Sequence, residues 1–368
     1  MTVAADPIPP AQPVIGAAEI DAAVRVLRSG MVVQGPEVAA FEREFSDFVG
    51  NRHCVAVNSG TSALQLSLMA LGFGPGDEVI VPSFSFAATA NAVRLVGATP
   101  VFADIEPGSF NLDPDSVAAA ITGRTVAIMP VHLYGLPAAM DRIMPLAHRY
   151  GLAVVEDAAQ AHAAAIDDQP VGTFGAAGCF SFYPTKNVHS LEGGMISTRD
   201  AGLARTLRLL RNQGMEQRYQ NEIVGANMRL TDVAAAVGRV QLARLAEWTE
   251  QRRANAAYLD RNLTGVVTPP VTKGYRHVYH QYTIRVRVDR DAFQAKLQQR
   301  GVGSAVYYPT PIHRLRPYLT DSGEVPGWKL PETDRAAAEV LSLPVFPALT
   351  HHQLDRIVEA VNAVAVTV

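Results

Sequence analysis

Cysteine is scarce in this chain of 368 residues: Cys54 and Cys179 are its only two. Both sit beside apolar residues and read as small buried hydrophobes, so a disulfide framework is excluded and a reducing compartment suits the chain. An excess of charge is missing too. Lys and Arg number 32 against 35 Asp and Glu, a formal net charge of −3, which gives no general attraction to nucleic acid or to anionic membranes. The basic clusters RTLRLLR and EQRRAN read as solvated helix faces. No uninterrupted apolar run approaches the about 20 residues of a membrane-spanning helix. The opening MTVAADPIPPAQPVIG lacks a basic start and a continuous apolar core, so no signal peptide is expected and a cytoplasmic location is. Metal-site spacing is absent as well: HVYH at 277–280 and His351-His352 have no further Cys or acidic ligands beside them, and no metal is expected. What remains, 48% hydrophobic and 18% charged residues, is the composition of a globular chain with a sizeable core.

Short runs rich in Val, Ile and Phe alternate with Ala- and Leu-rich stretches through the first two thirds. HCVAV, DEVIVP, TPVFAD, TVAIMPVH, LAVVED and CFSFY read as strands; SALQLSLMALG and AAMDRIMPLAHRYG read as helices, the first with Leu64, Leu68 and Leu71 on one face. The alternation predicts an α/β fold with a mostly parallel central sheet and helices on both faces. From Thr231, a plausible N-cap, the segment TDVAAAVGRVQLARLAEWTEQRRANAAYLDRNL predicts one long helix. A strand (QYTIRVRV), a helix (RDAFQAKLQQRG) and the proline-rich loop YYPTPIHRLRPYL follow. These predict a large domain with an N-terminal arm over 1–245 and a small C-terminal α+β domain over 246–368. GFGPGDEV precedes a strand instead of joining a strand to a helix, so it is not a dinucleotide-binding loop.

Three segments carry chemistry. Gly60-Thr61-Ser62 follows a predicted strand and opens a helix, where unpaired N–H groups and hydroxyls suit a phosphate, or where the hydroxyls simply cap. LAVVEDAAQ drives Glu156-Asp157 to the end of a buried strand with Gln160 one turn on; a carboxylate there can hold a proton on a ring nitrogen. Lys186, in SFYPTKN, is a candidate amine nucleophile, able to form a Schiff base with an aldehyde and to shuttle a proton. Phosphate cradle, strand-end acid and lysine together match the three functional ends of pyridoxal phosphate (PLP).

The segments PVIGAAEIDAAVRVLRSGMVVQGPEVAAFEREF, AVNSGTSALQLSLMALGFGPGDEVIVPSFSFAATANAV, GATPVFADIEP, MPVHLYGLPAAMD, VVEDAAQAHAAA, CFSFYPTKN, EGGM, LRNQG, NMRLTDVAAAVGRVQL and YYPTPIHRLRPY resemble the DegT/DnrJ/EryC1/StrS family of PLP-dependent nucleotide-sugar aminotransferases. The resemblance runs from about Pro13 to Pro347 and implies fold type I, the aspartate-aminotransferase-like fold. It implies that Lys186 anchors the cofactor and moves the proton, that Asp157 pairs with the pyridinium nitrogen and Gln160 with the phenolic oxygen. Phe86 would stack on the ring, while Gly60, Thr61, Ser62 and Ser181 would hold the phosphate. Asn227 would reach the phosphate in a partner subunit, implying a homodimer with shared active sites. His162, Tyr183, Tyr307 and His313 would line the sugar-nucleotide side. A diphosphate needs cationic or backbone partners, for which Arg229 and Arg314 are candidates by charge alone and not by the resemblance.

Three departures from the family pattern stand out: Leu191-Glu192 before Gly193-Gly194, Ala161-His162-Ala163-Ala164 after Gln160, and Asn212-Gln213-Gly214. None touches an implied cofactor contact, but each weakens transfer of a particular substrate. The implied reaction takes an amino group from an amino acid, glutamate as in the family, to a keto group of a nucleotide-linked deoxysugar. A keto-cyclitol aminotransferase and a non-catalytic binding or regulatory protein are the alternatives. A sugar dehydratase of the same family would replace Lys186, commonly with histidine.

Overall fold

Strand residues alternate between two apolar layers, and that alternation places the sheet. The structure, a computed structural model, describes residues 6–323 and 326–366. Its central sheet has seven strands: β1 (His53–Val57), β2 (Glu78–Pro82), β3 (Thr99–Ala103), β4 (Thr125–Ile128), β5 (Ala153–Asp157), β6 (Ala177–Ser181) and β7 (Gly194–Thr198). Their order is β1-β7-β6-β5-β4-β2-β3. Strands β6, β5, β4, β2 and β3 run parallel, and β7 lies antiparallel between β6 and β1. The mostly parallel sheet read from the sequence is therefore present.

Helices cover both faces. Val79 and Val81 join one core with Leu64 and Leu68 of α3 (Gly60–Ala70), Val93 of α4 (Ala88–Leu95) and Leu207 of α7 (Ala201–Arg211). On the other face, Ile80 and Ile128 pack with Val117 of α5 (Pro114–Ala120) and Ile143 of α6 (Met140–Tyr150). Phe180 and Met195 on that same face meet Phe41 and Phe45 of α2 (Pro36–Phe48). Helix α1 (Ala17–Ser29) lies outside, with Ala22 and Val26 against Ala236.

Helix α8 (Asp232–Asn262) is the long helix the sequence predicts, capped by Thr231 Oγ1 accepting from Ala234 N–H at 3.3 Å. It serves two cores. Ala234, Ala235 and Leu245 face the sheet, while Ala256 and Leu259 pack with Tyr282 and Ile284 of β8 (Tyr282–Arg285), Leu341 and Leu343 of β9 (Val340–Leu343), Phe293 and Leu297 of α9 (Arg290–Gln299), and Ile357 and Val361 of α11 (His351–Ala365). Between these, α10 (Pro331–Glu339) sets Ala336 and Ala337 against Phe84 and Tyr134. The position 245/246 lies inside α8, and Ile8 belongs to the C-terminal core, its N–H and C=O bonded to Gly301 and Gly303. Among the described residues no helix is long and apolar enough to cross a membrane.

Candidate active site

The carboxyl ends of the parallel strands converge on one region, the place where open α/β sheets present ligands. At the end of β5, Glu156 and Asp157 point to opposite faces, as neighbours on a strand must. Glu156 is fully buried and accepts from the backbone N–H groups of Gly172 (2.6 Å), Phe174 (2.8 Å) and Gly175 (2.8 Å). His132 completes that knot. Its Nδ1 accepts from Ala138 N–H, which leaves the ring proton on Nε2 to be donated to Glu156 at 3.0 Å. Glu156 is thus a structural acid. Glu156→Ala, which strands three backbone donors and His132, is expected to cost about 3–5 kcal/mol, read as a lower denaturant midpoint.

Asp157 faces the other way and is also buried. Thr89 donates to its Oδ2 at 2.8 Å, and Ala159 N–H to its Oδ1 at 3.2 Å. Burial pushes its pKa up, opposed by those donors and by the charge of Lys186. Lys186 lies on the loop that follows β6, its N–H donating to Tyr183 C=O at 2.9 Å. Burial of its ammonium, opposed by Asp157, brings its pKa down to about 8 from 10.5. A lysine so tuned carries a substantial free-amine fraction near neutrality, the requirement for an amine nucleophile. The rate at which apoprotein captures PLP is expected to rise with pH and level off above about 8; stopped-flow absorbance reads it, and a rise continuing to pH 10 would contradict the shift.

At the start of α3, Ser59 caps the helix by accepting from Ser62 N–H at 3.1 Å. Ser62 spends its own proton on Asn58 Oδ1 at 2.6 Å, so its role here is to brace the turn. The first-turn N–H groups of α3 and the half-buried Thr61 remain as anion donors. Two glycines permit this close packing. A Cβ on Gly60 would lie 2.8 Å from Ser181 Cβ, and one on Gly194 would lie 2.4 Å from Ser59 O. Ser181, on β6, therefore stands directly against the helix start. Gly60→Ala is expected to weaken PLP binding about tenfold or more, roughly 1.4 kcal/mol, with a smaller effect on melting; fluorescence titration of apoprotein measures it.

Gln160 is locked in one orientation. Its Oε1 accepts from Tyr134 N–H at 2.8 Å and its Nε2 donates to Tyr308 OH at 3.0 Å, leaving the amide's N–H end turned toward the site. The Phe86 ring is 59% exposed, and its centroid is 6.1 Å from that of Tyr308. A ring this exposed offers a face on which a planar group can stack.

The remaining expected residues are dispersed. His162 is fully buried, with ring centroids 5.5 Å from both Phe180 and Phe182. Burial, and then the charge of Lys186, take its pKa down to about 3, so it is a neutral wall beneath the site instead of a surface for a sugar. His313 is also buried: Nδ1 is 2.6 Å from Ser83 Oγ, and that hydroxyl accepts from His313 N–H at 3.0 Å. The pair ties the proline-rich loop to the end of β2 and leaves His313 no open face. Tyr307 offers the loop its backbone, its C=O accepting from Tyr134 OH, whereas the neighbouring Tyr308 reaches Gln160. Tyr183 is 49% exposed, and Asn227 is exposed at an isolated bridge to Asn212. Arg229 donates to Asn212 Oδ1, and Arg314 is committed to Asp334 through two bonds at 2.8 and 2.7 Å.

Thr89, Ser59 and Tyr308 are the contributors that sequence reasoning missed. The doublet Tyr307-Tyr308 carried the signal for a tyrosine but not for which one; Thr89 sits in an Ala-rich stretch that reads as plain helix.

The donor set fits pyridoxal phosphate: an anion cradle narrowed by Gly60 and Ser181, a buried carboxylate, a fixed amide, a bare aromatic face and an amine of lowered pKa. Comparison with known proteins points the same way. The chain is 44% identical to the pleiotropic regulatory protein of Geobacillus stearothermophilus, over 91% of each chain. It is 45% identical to the dTDP-3-amino-3,4,6-trideoxy-alpha-D-glucose transaminase of Streptomyces venezuelae, over 94% of this chain and 92% of that protein. A crystal structure of S. venezuelae DesV in complex with a ketimine intermediate superposes with a TM-score of 0.90 at 44% identity, covering 95% of this chain and 94% of the other. The fold is thus that of an aminotransferase solved with a reaction intermediate. Residues 13–362 match the sequence profile of the DegT/DnrJ/EryC1/StrS aminotransferase family, and with that extent of agreement the chain belongs to the DegT/DnrJ/EryC1/StrS aminotransferase family.

Proposed function

We propose that the chain is a PLP-dependent aminotransferase that moves an amino group from an amino acid, L-glutamate, to a keto group of a nucleotide-linked deoxysugar. The observation that carries this reading is the pairing of Lys186, its pKa brought down to about 8, with buried Asp157 beside the Gly60 cradle. When bound, PLP supplies an aldehyde and a ring that withdraws electrons from the carbon bearing the amino group. The chain's residues do the rest. The first turn of α3, with Thr61 and Ser181, would hold the phosphate, Phe86 would stack on the ring, and Gln160 would serve the phenolic oxygen. Asp157, held by Thr89, keeps the proton on the ring nitrogen. Lys186, as a free amine, would carry the proton at the reacting carbon.

Asn227 fits a role toward a second subunit, and exposed apolar residues support one. Ile20 and Leu27 on α1, followed by Met31 and Val33, are all at least half exposed, more bare surface than a lone subunit needs. A homodimer sharing its active sites follows from this reading. The Geobacillus relative's name keeps a regulatory reading in view, but Lys186, Asp157 and the phosphate turn would be surplus in a protein that only binds. Mixing holoenzyme with L-glutamate separates the two. Loss of the absorbance of lysine-bound PLP, restored by a keto-sugar nucleotide, is the expected result; an unchanged spectrum would favour regulation.

A further inference from the structure

In the segment YTIRVRV polar and apolar residues alternate, and the structure sorts them to two faces. Tyr282, Ile284 and Val286 enter the C-terminal core, while Thr283, Arg285 and Arg287 face a crevice of about 520 Å³. Arg335 and Glu339, one turn apart on α10, form its second wall. The loop after β3, with Pro107 and Phe110, and the stretch holding Val267 and Pro270 complete it. None of these residues belongs to the cofactor cradle or to the Lys186 loop.

The charges there do not balance. Glu339 takes Nε of Arg285 at 2.8 Å and Pro107 C=O takes its Nη1, but its buried Nη2 has no hydrogen-bond partner among the described residues. Arg335, its side chain 55% exposed, meets Glu332 at 3.1 Å, an exposed pair that contributes little. Arg287, exposed at the rim, has no ion pair among the described residues. Three guanidiniums thus face two carboxylates around one opening. Guanidinium forks suit phosphate oxygens. A bare phosphate would leave most of the crevice empty, and its volume falls within the about 300–1,000 Å³ of small-molecule sites. Pro107, Val267 and Pro270 offer an apolar wall to an organic body.

We propose that this crevice binds an organic phosphate of nucleotide size, its phosphates on Arg287 and Arg335 above Arg285 and its body against the prolines. Such a ligand would tie the loop after β3 to the C-terminal core, a join that Arg285 already begins through Pro107. The site stands whether or not the chain transfers amino groups.

Thymidine diphosphate is the probe, and inorganic pyrophosphate, which has no organic body, is its control. Calorimetric titration of the PLP-loaded protein is expected to find one more site per chain in the parent than in Arg287→Ala/Arg335→Ala, a site that weakens with added salt. Pyrophosphate should bind there at least about tenfold less tightly. Both substituted side chains are exposed, so the variant should fold and keep its spectral response to L-glutamate. Light-driven cross-linking of 4-thiothymidine diphosphate locates the site, with label expected on peptides spanning 107–110 or 267–270. Equal stoichiometry and affinity in parent and variant, pyrophosphate binding as tightly as the nucleotide, or label on neither peptide would overturn the proposal. A protein that answers L-glutamate yet lacks the extra site refutes the crevice alone. One that has the site but gives no spectral response refutes the aminotransferase reading alone.

Discussion

Lys186→Ala is expected to lower amino transfer by about ten-thousand-fold or more, because in the proposed function one side chain would both anchor the cofactor and carry the proton. The protein should still take up PLP through the phosphate cradle, but without the absorbance of a lysine-bound aldehyde. Stability should move the other way. In the folded chain the lysine's pKa is about 8 against an ordinary 10.5, so the unfolded chain binds more protons between those values. The wild-type apoprotein therefore gains stability as pH climbs from about 8 to 10.5, and carries its full burden below that window. Lys186→Met, which keeps the apolar stem but not the charge, should be more stable than the wild-type apoprotein at neutral pH by something on the order of 3 kcal/mol. That advantage should vanish above about pH 10.5. Paired denaturant titrations at pH 7 and pH 10 check both the sign and the window; equal stability at pH 7 would show that the lysine is not desolvated.

Asp157→Asn is the second large effect. Its carboxylate is buried and aimed by Thr89 and Ala159, so an amide of the same shape should fold but hold no proton on the ring nitrogen. A loss of about a thousandfold in kcat is expected, within the range of positioned acid–base groups, with little change in PLP content. Thr89→Val, which loosens the acid without removing it, should cost about tenfold. Asp157→Asn activity within a few fold of wild type would remove this carboxylate from the mechanism.

Much of this was legible from the sequence because the site hangs on strand ends. Runs such as LAVVED and CFSFY show their β character in Val, Ile and Phe, and the polar residues that follow them fall at the rim of the sheet. Strand β7 was not legible: Gly194-Met-Ile-Ser-Thr198 offers only two strong apolar residues, and its place comes from pairing with β1 and β6. Strand pattern alone did not separate Glu156 from Asp157, although the family resemblance singled out Asp157. Both end one strand, and only the turn at 172–175, which brings three N–H groups to Glu156, shows which acid is structural. Histidines misled in a similar way. His162 and His313 were expected on the sugar side through the family resemblance, yet tertiary packing buries both rings. Arg252 carries the reverse lesson: EQRRAN reads as a solvated face, but α8 turns that arginine inward against Tyr279.

The central claim is that Lys186 holds pyridoxal phosphate through its side-chain nitrogen. Borohydride reduction of the PLP-loaded protein, followed by peptide mass mapping, tests it most directly. The account predicts a phosphopyridoxyl group on the peptide that contains Lys186. An unmodified Lys186, in a protein that stays colourless with excess PLP, would contradict it.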